Sequence, residues 1–180
     1  MSSFASDEQF VLIRKGQTGT SLQDQVSRLF EQARDDVYRY LLTLGLYPPQ
    51  AQEAAQEVFL RLYAAQRKGE EIQNPRAWIF RVAHNLGHDL RARDKTQQLE
   101  PALEALLSDT RPGIEAELIE DERMRQIGEA WGTLSPQQRQ CLYLRAEGLR
   151  YREVAEAMGI SISSVREFLS RAIARLQKAL

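Results

Sequence analysis

The chain has one cysteine, Cys141, so neither an intramolecular disulfide nor a multi-thiolate zinc site can be built from it. Its neighbours Leu142 and Leu144 lie on a predicted helix, which favours a buried, inert thiol. Long apolar runs are also missing. No stretch approaches the roughly 18 to 20 residues that a spanning helix needs, and Met1 to Gly19 lacks the basic-then-apolar order of a secretory signal. A cytoplasmic chain without membrane insertion is expected. Alternating β-branched runs of strand length are absent too, as are the glycine patterns that cradle dinucleotides and phosphates. What is left, 43% apolar and 27% charged among 180 residues, suits a globular chain with one ordinary domain or two small ones.

The net charge of -1 hides an uneven distribution. Residues 1–94 carry 12 basic and 12 acidic side chains, 95–122 carry 2 and 8, and 123–180 carry 10 and 5, so the segments sum to 0, -6 and +5. A basic C-terminal unit set apart by an acidic stretch is a pattern of modular DNA binders.

Apolar residues recur at three and four rather than at two, which predicts an all-α fold. Val26, Leu29, Phe30, Ala33, Val37, Tyr40 and Leu41 form one stripe, ended by Gly45, Pro48 and Pro49. A second helix begins near Gln50 and runs through Ala54, Val58, Leu62 and Tyr63 to a polar loop at 67–73. A third opens at Asn74-Pro75, a cap followed by the proline that suits the first turn, and carries Trp78, Ile79, Val82, Ala83 and Leu86. The periodicity weakens over 95–122, where acid dominates and Arg111-Pro112-Gly113 interrupts, so this segment is read as an interdomain linker. Met124, Ile127 and Trp131 start a new amphipathic helix. Ser135-Pro136-Gln137-Gln138 offers cap, proline and capping-box glutamine in order, and Gly148 closes the helix that follows.

The strongest motif spans Tyr151 to Ser170. With Tyr151 as position one of a helix-turn-helix, small Ala155 falls where the two helices touch and Gly159 where the turn can use a positive φ. Val154, Met158, Ile160, Val165 and Phe168 occupy the positions that should be apolar. Ser161 or Ser163 can cap the second helix, directing Ser163, Ser164, Arg166 and Glu167 outward where a recognition helix meets base edges. Arg171, Arg175 and Lys178 continue along the same helix toward phosphates or solvent.

An enzyme is not expected. His84 and His88 share a helical face as a zinc-protease pair would, but Asn85 stands where that motif needs a glutamate base and no third ligand is evident. No cofactor, metal or catalytic residue is assigned.

Three segments carry a resemblance: Gln56-Glu57-Val58-Phe59-Leu60-Arg61-Leu62-Tyr63; Asn74-Pro75-Arg76-Ala77-Trp78-Ile79-Phe80-Arg81-Val82-Ala83-His84-Asn85-Leu86; and Gly148-Leu149-Arg150-Tyr151-Arg152-Glu153-Val154-Ala155-Glu156-Ala157-Met158-Gly159-Ile160-Ser161. All three resemble the group IV, extracytoplasmic-function branch of the sigma-70 family, in its order and spacing. The resemblance implies a sigma2-like domain over 1–94, the acidic linker over 95–122 and a sigma4-like helix-turn-helix domain over 123–180. It also implies core RNA polymerase and promoter DNA as partners, an anti-sigma factor as a further one, and transcription initiation as the function.

Under that resemblance, Glu53, Gln56, Glu57, Phe59 and Arg61 face polymerase. The minus-10 set is Arg76, Trp78, Arg81, His84, Asn85, Asp89, Arg91 and Arg93, with Asn85 capturing a flipped base and the arginines neutralising the separated strand. For Trp78 the spacing with Val82 and Leu86 also fits a core role. Ser161, Ser163, Ser164, Arg166, Glu167, Ser170 and Arg171 read the minus-35 element.

The chain departs from the family pattern at several positions. Ala51 and Ala54 stand where acidic residues are usual, Arg150 replaces a capping serine, Arg152 an acid, and Phe168 a basic residue, while Glu167 puts an acid in the recognition face. An altered promoter preference is expected. The competing readings are a helix-turn-helix regulator of duplex operators and a sigma-like interaction protein, neither of which initiates transcription itself.

Overall fold

The computed structural model describes residues 21–94 and 125–179, in which every regular element is an α-helix. The first three are α1 (Leu22–Thr43), α2 (Pro48–Arg67) and α3 (Pro75–Arg93). A helix at 125–133, α4, precedes α5 (Pro136–Ala146), α6 (Tyr151–Met158) and α7 (Ile162–Ala179). The acidic segment 95–122 lies outside the described residues.

The helices start where the sequence supplies partners for their first, otherwise unpaired, N–H groups. Ser21 Oγ accepts from Asp24 N and Asp24 Oδ2 from Ser21 N, a reciprocal box at the head of α1. Asn74 Oδ1 accepts from Ala77 N at 3.1 Å, and Ser135 Oγ from Gln138 N at 3.2 Å, each just ahead of a proline. Helix α2 begins at Pro48, two residues earlier than the apolar spacing suggests, because prolines fit a first turn whose N–H groups bond nothing within the helix. Gly45, Gly148 and Gly159 take positive φ where α1, α5 and α6 end.

Helices α1, α2 and α3 pack as one bundle and α5, α6 and α7 as a second. Tyr40, Leu41, Val58, Leu62, Ile79 and Phe80 are fully buried in the first; Leu144, Leu149, Val154 and Val165 in the second. Ala51 and Ala54 are buried as well, so the departures noted there sit inside the packing and not on the outer face of α2. The two bundles touch: α3 packs on α6 and α1 on α5, and their buried residues form one contiguous cluster.

Candidate nucleic-acid interface

Helices α6 and α7 build the helix-turn-helix. Val154, Ala155 and Val165 are buried between them, Met158, Ile160 and Phe168 half-buried, and Gly159 turns the chain at φ 65°. Phe168, where the family resemblance implies a basic residue, is half-buried and packs against the core. Arg150 offers no side-chain cap to α6, but its N–H donates to Glu153 Oε2 at 2.7 Å, which compensates in part for the missing serine. Ser161, not Ser163, caps α7: its Oγ accepts from Ser164 N at 3.0 Å. Ser163, Arg166, Glu167, Ser170 and Arg171 are exposed along one stripe of α7, Ser164 half-exposed beside them, and Glu167 pairs with Arg171 at 2.5 Å. Arg175, placed by its sequence position toward phosphate or solvent, instead donates to Thr133 O at 2.7 Å and braces α7 on the end of α4.

The minus-10 candidates on α3 divide into two groups. Arg81, Asn85 and Asp89 are exposed at intervals of four, hence on one stripe, with half-buried Trp78 at its head and exposed Arg93 beyond its end. Trp78 Nε1 donates to Glu70 Oε1 at 3.3 Å. Of the other candidates, Arg76 and His84 turn inward, while Arg91 stays exposed with its guanidinium bonded at the end of α1. His84 is only 7% exposed, its Nδ1 lies 2.8 Å from the Tyr40 hydroxyl, and burial, aided by neighbouring His88, lowers its pKa to about 4. It is a neutral core imidazole. Arg91 Nη1 donates to Leu44 O at 2.7 Å and lies against Gly45, so it satisfies the carbonyl end of α1. Among the described residues, no group of three or more His, Cys, Asp or Glu side chains is placed to hold a metal.

Arg76 sits at the junction of the bundles. Its guanidinium pairs with Asp36 of α1 at 3.0 Å and with the Glu147 carboxylate just after α5, donates to Glu147 O at 3.0 Å, and lies over the Phe80 ring. Tyr143 of α5 donates to Asp36 O at 2.9 Å, and its ring meets Tyr40 and Phe80. Burial, with the Asp36 and Glu147 carboxylates nearby, raises the Tyr143 pKa far above its ordinary value and keeps the phenol protonated. Burial and Asp36 also raise the Glu147 pKa, against the pull of Arg76. Asn74, while capping α3, donates its amide to Glu153 Oε1 at 2.6 Å and so links the heads of α3 and α6. A cleft of about 600 Å³ opens beside this link, lined by Gln73, Trp78 and Arg81 on one side and Arg150, Arg152 and Glu156 on the other.

The polymerase-facing candidates lie on α2. Glu53, Gln56 and Arg61 are exposed and Glu57 half-exposed, on one stripe, with Arg61 bonded to Glu57 at 2.7 Å. Phe59 is not on that surface: it is buried, edge-on to Phe30 of α1 at 5.1 Å between ring centres. Leu60, 64% exposed, lies on that stripe instead, and the sequence reading does not single it out. The available signal was a leucine seven residues beyond Glu53 and four beyond Gln56, on the charged side of an amphipathic helix.

Two family models match: Sigma-70 region 2 over residues 29–97 and Sigma-70 region 4 over 124–176. The ECF RNA polymerase sigma factor BldN of Streptomyces coelicolor is 29% identical over 175 residues, covering 94% of this chain, which spans 64% of that relative's length. The ECF RNA polymerase sigma factor SigK of Mycobacterium sp. (strain KMS) is 25% identical over 162 residues, 87% of this chain and 83% of the relative. In three dimensions the chain is similar to the sigma factor RpoE solved in complex with the anti-sigma factor NepR from Bartonella quintana. The TM-score is 0.58 at 19% identity, over 85% of this chain and 94% of that one, a likeness of fold.

Proposed function

The chain belongs to the sigma-70 family, in its extracytoplasmic-function group, and on that premise we propose that it is an alternative sigma factor that binds core RNA polymerase and directs promoter-specific transcription initiation. The reading assigns it a cytoplasmic site of action, where polymerase and promoter are, and gives it no catalytic step of its own.

The observation that carries this reading is that α2, α3 and α7 each present one continuous exposed stripe, two on the first bundle and one on the second. The α2 stripe, Glu53, Gln56, Glu57, Leu60 and Arg61, takes the polymerase. An apolar side chain ringed by charge follows the apolar centre and polar rim of protein interfaces. The α3 stripe takes the minus-10 element, with Asn85 reading an unstacked base and Arg81 and Arg93 neutralising strand phosphates. The α7 stripe takes the minus-35 element in the major groove. Arg76, His84 and Arg91 act in this reading through the packing of α1 and α3, not as DNA contacts. A partner of the anti-sigma class fits the closed arrangement, in which the two bundles already touch.

The test is to mix the purified chain with sigma-free core polymerase and fragmented genomic DNA from its source, then sequence transcript 5′ ends. Discrete starts sharing two upstream motifs are expected. Polymerase binding without starts would favour the sigma-like interaction protein, and binding of duplex alone without polymerase would favour an operator-binding regulator.

A further inference from the structure

On the exposed stripe of α7, most polar groups near the helix start are already engaged. Ser161 Oγ accepts from Ser164 N and lies 2.8 Å from both the Ser163 and the Ser164 hydroxyls. Glu167 and Arg171 hold each other. Two long side chains in the first two turns remain uncommitted: exposed Arg166, and Ile162, which is 41% exposed. They stand four residues apart, one above the other.

A lone exposed isoleucine is ordinary on a protein surface. This one is singled out by position, since the packing face of α7 is formed by Val165, Phe168, Leu169 and Ala172 and Ile162 lies outside it. It sits at the end of α7 that a recognition helix turns toward the base edges. In the major groove, thymine alone of the four bases presents a methyl group, and an arginine pairs best with guanine O6 and N7. Side chains four apart on a helix start about 5–6 Å from each other, against about 3.4 Å per base step. Their targets therefore lie within two steps of one another.

We infer that Ile162 is a specificity-determining residue that reads the methyl group of a thymine, on either strand of the minus-35 element, within two base steps of the guanine read by Arg166. The inference rests on the reading of α7 as the minus-35 helix.

Reconstituted holoenzyme would be used to select duplexes from a pool randomised through the minus-35 region, with wild type, Ile162→Ala and Arg166→Ala in parallel. Wild type should enrich a thymine and a guanine no more than two steps apart. Ile162→Ala should lose the thymine and keep the guanine, and Arg166→Ala should do the reverse. On the selected sequence, uracil in place of that thymine removes only the methyl group; it should weaken the wild type about fourfold and leave Ile162→Ala unmoved. A thymine preference that survives Ile162→Ala, or a wild type indifferent to uracil, overturns the inference while leaving promoter reading intact. A wild type that enriches no sequence overturns both.

Discussion

At the scale of single residues, His84 shows how a core position can imitate a site. It lies one residue before Asn85 on the same helix, yet it is buried with its ring stacked on Tyr40, and its partner is the Tyr40 hydroxyl at 2.8 Å. Its pKa of about 4 is below the unfolded value, so the unfolded chain binds the proton more readily. Its contribution to stability is therefore fully present above pH 6.5 and is lost as the pH falls toward 4, a total of about 3 kcal/mol. Burial lowers the pKa of His88 too, which adds to the same trend. Urea unfolding between pH 7 and 5 should show the loss, and His84→Gln, which keeps an acceptor for Tyr40 but no proton to gain, should flatten it. An equally steep variant would assign the trend to other groups. Leu60 poses the opposite case, an apolar side chain left outside. Leu60→Asp should leave thermal stability within about 0.5 kcal/mol, as surface changes do, and weaken polymerase binding at least tenfold, as loss of an interface anchor does. Fluorescence titration with core polymerase would measure it, and unchanged affinity would remove Leu60 from that surface.

At the scale of elements, Glu147 shows how the two bundles are held together. With the Arg76 guanidinium it forms a charge-assisted bond largely sheltered from solvent, and bonds of that kind contribute about 1.5–3 kcal/mol. Glu147→Gln keeps the backbone acceptor for Arg76 and the pairing with Asp36, so the bundles should stay folded while the contact between them loosens, by a factor of roughly ten or more. Small-angle scattering should report a larger radius of gyration with unchanged helical content, and an unchanged radius would mean that the aromatic contacts of Tyr143 suffice. The individual helices were legible in the sequence because their signals are local: the α1 stripe, the caps at Asn74 and Ser135, and the apolar positions of the helix-turn-helix all depend on neighbours within a turn or two. The joint was not legible. Arg76 meets Glu147 from 71 residues away and Tyr143 meets Asp36 from 107, and nothing in helical spacing says which polar residue on a stripe will face the other bundle. Phe59 leaves the outer face of α2 for the same reason, since it is claimed by Phe30 of α1. The exposed stripe through Arg81, Asn85 and Asp89 was readable because it needs only the period of one helix.

At the scale of the whole molecule, the two helices to which the proposed function assigns promoter reading are too close together to span a promoter. The minus-10 and minus-35 elements, about 25 base pairs apart by name, are separated by about 85 Å along B-form DNA at about 3.4 Å per step. A packed body of about 130 residues has a radius of gyration of roughly 14 Å, hence a diameter of roughly 35–40 Å. Under the proposed function the bundles in contact cannot occupy both elements at once, so Arg76 would release Glu147, Tyr143 would release Asp36 and Asn74 would release Glu153 before initiation. The contact joins a few polar links to the packed rings of Tyr40, Phe80 and Tyr143, so opening it parts an aromatic seam as well. Chemical closure tests this directly. Gln73 and Arg152 line opposite sides of the cleft between the bundles, both exposed, so Gln73→Cys with Arg152→Cys gives two accessible thiols for a short bis-maleimide. The native thiol should stay out of the reaction, because Cys141 is fully buried and burial raises its pKa to about 11. The uncross-linked double variant should initiate like the wild type, since among the described residues Arg152 is tied to Glu156 alone, one turn away on an exposed face. The cross-linked chain should give no transcripts from a promoter that both elements define, with each single-cysteine variant, treated alike, remaining active. Full activity of the cross-linked chain would mean that the bundles read the promoter without parting, and that the contact seen between them belongs to the working state.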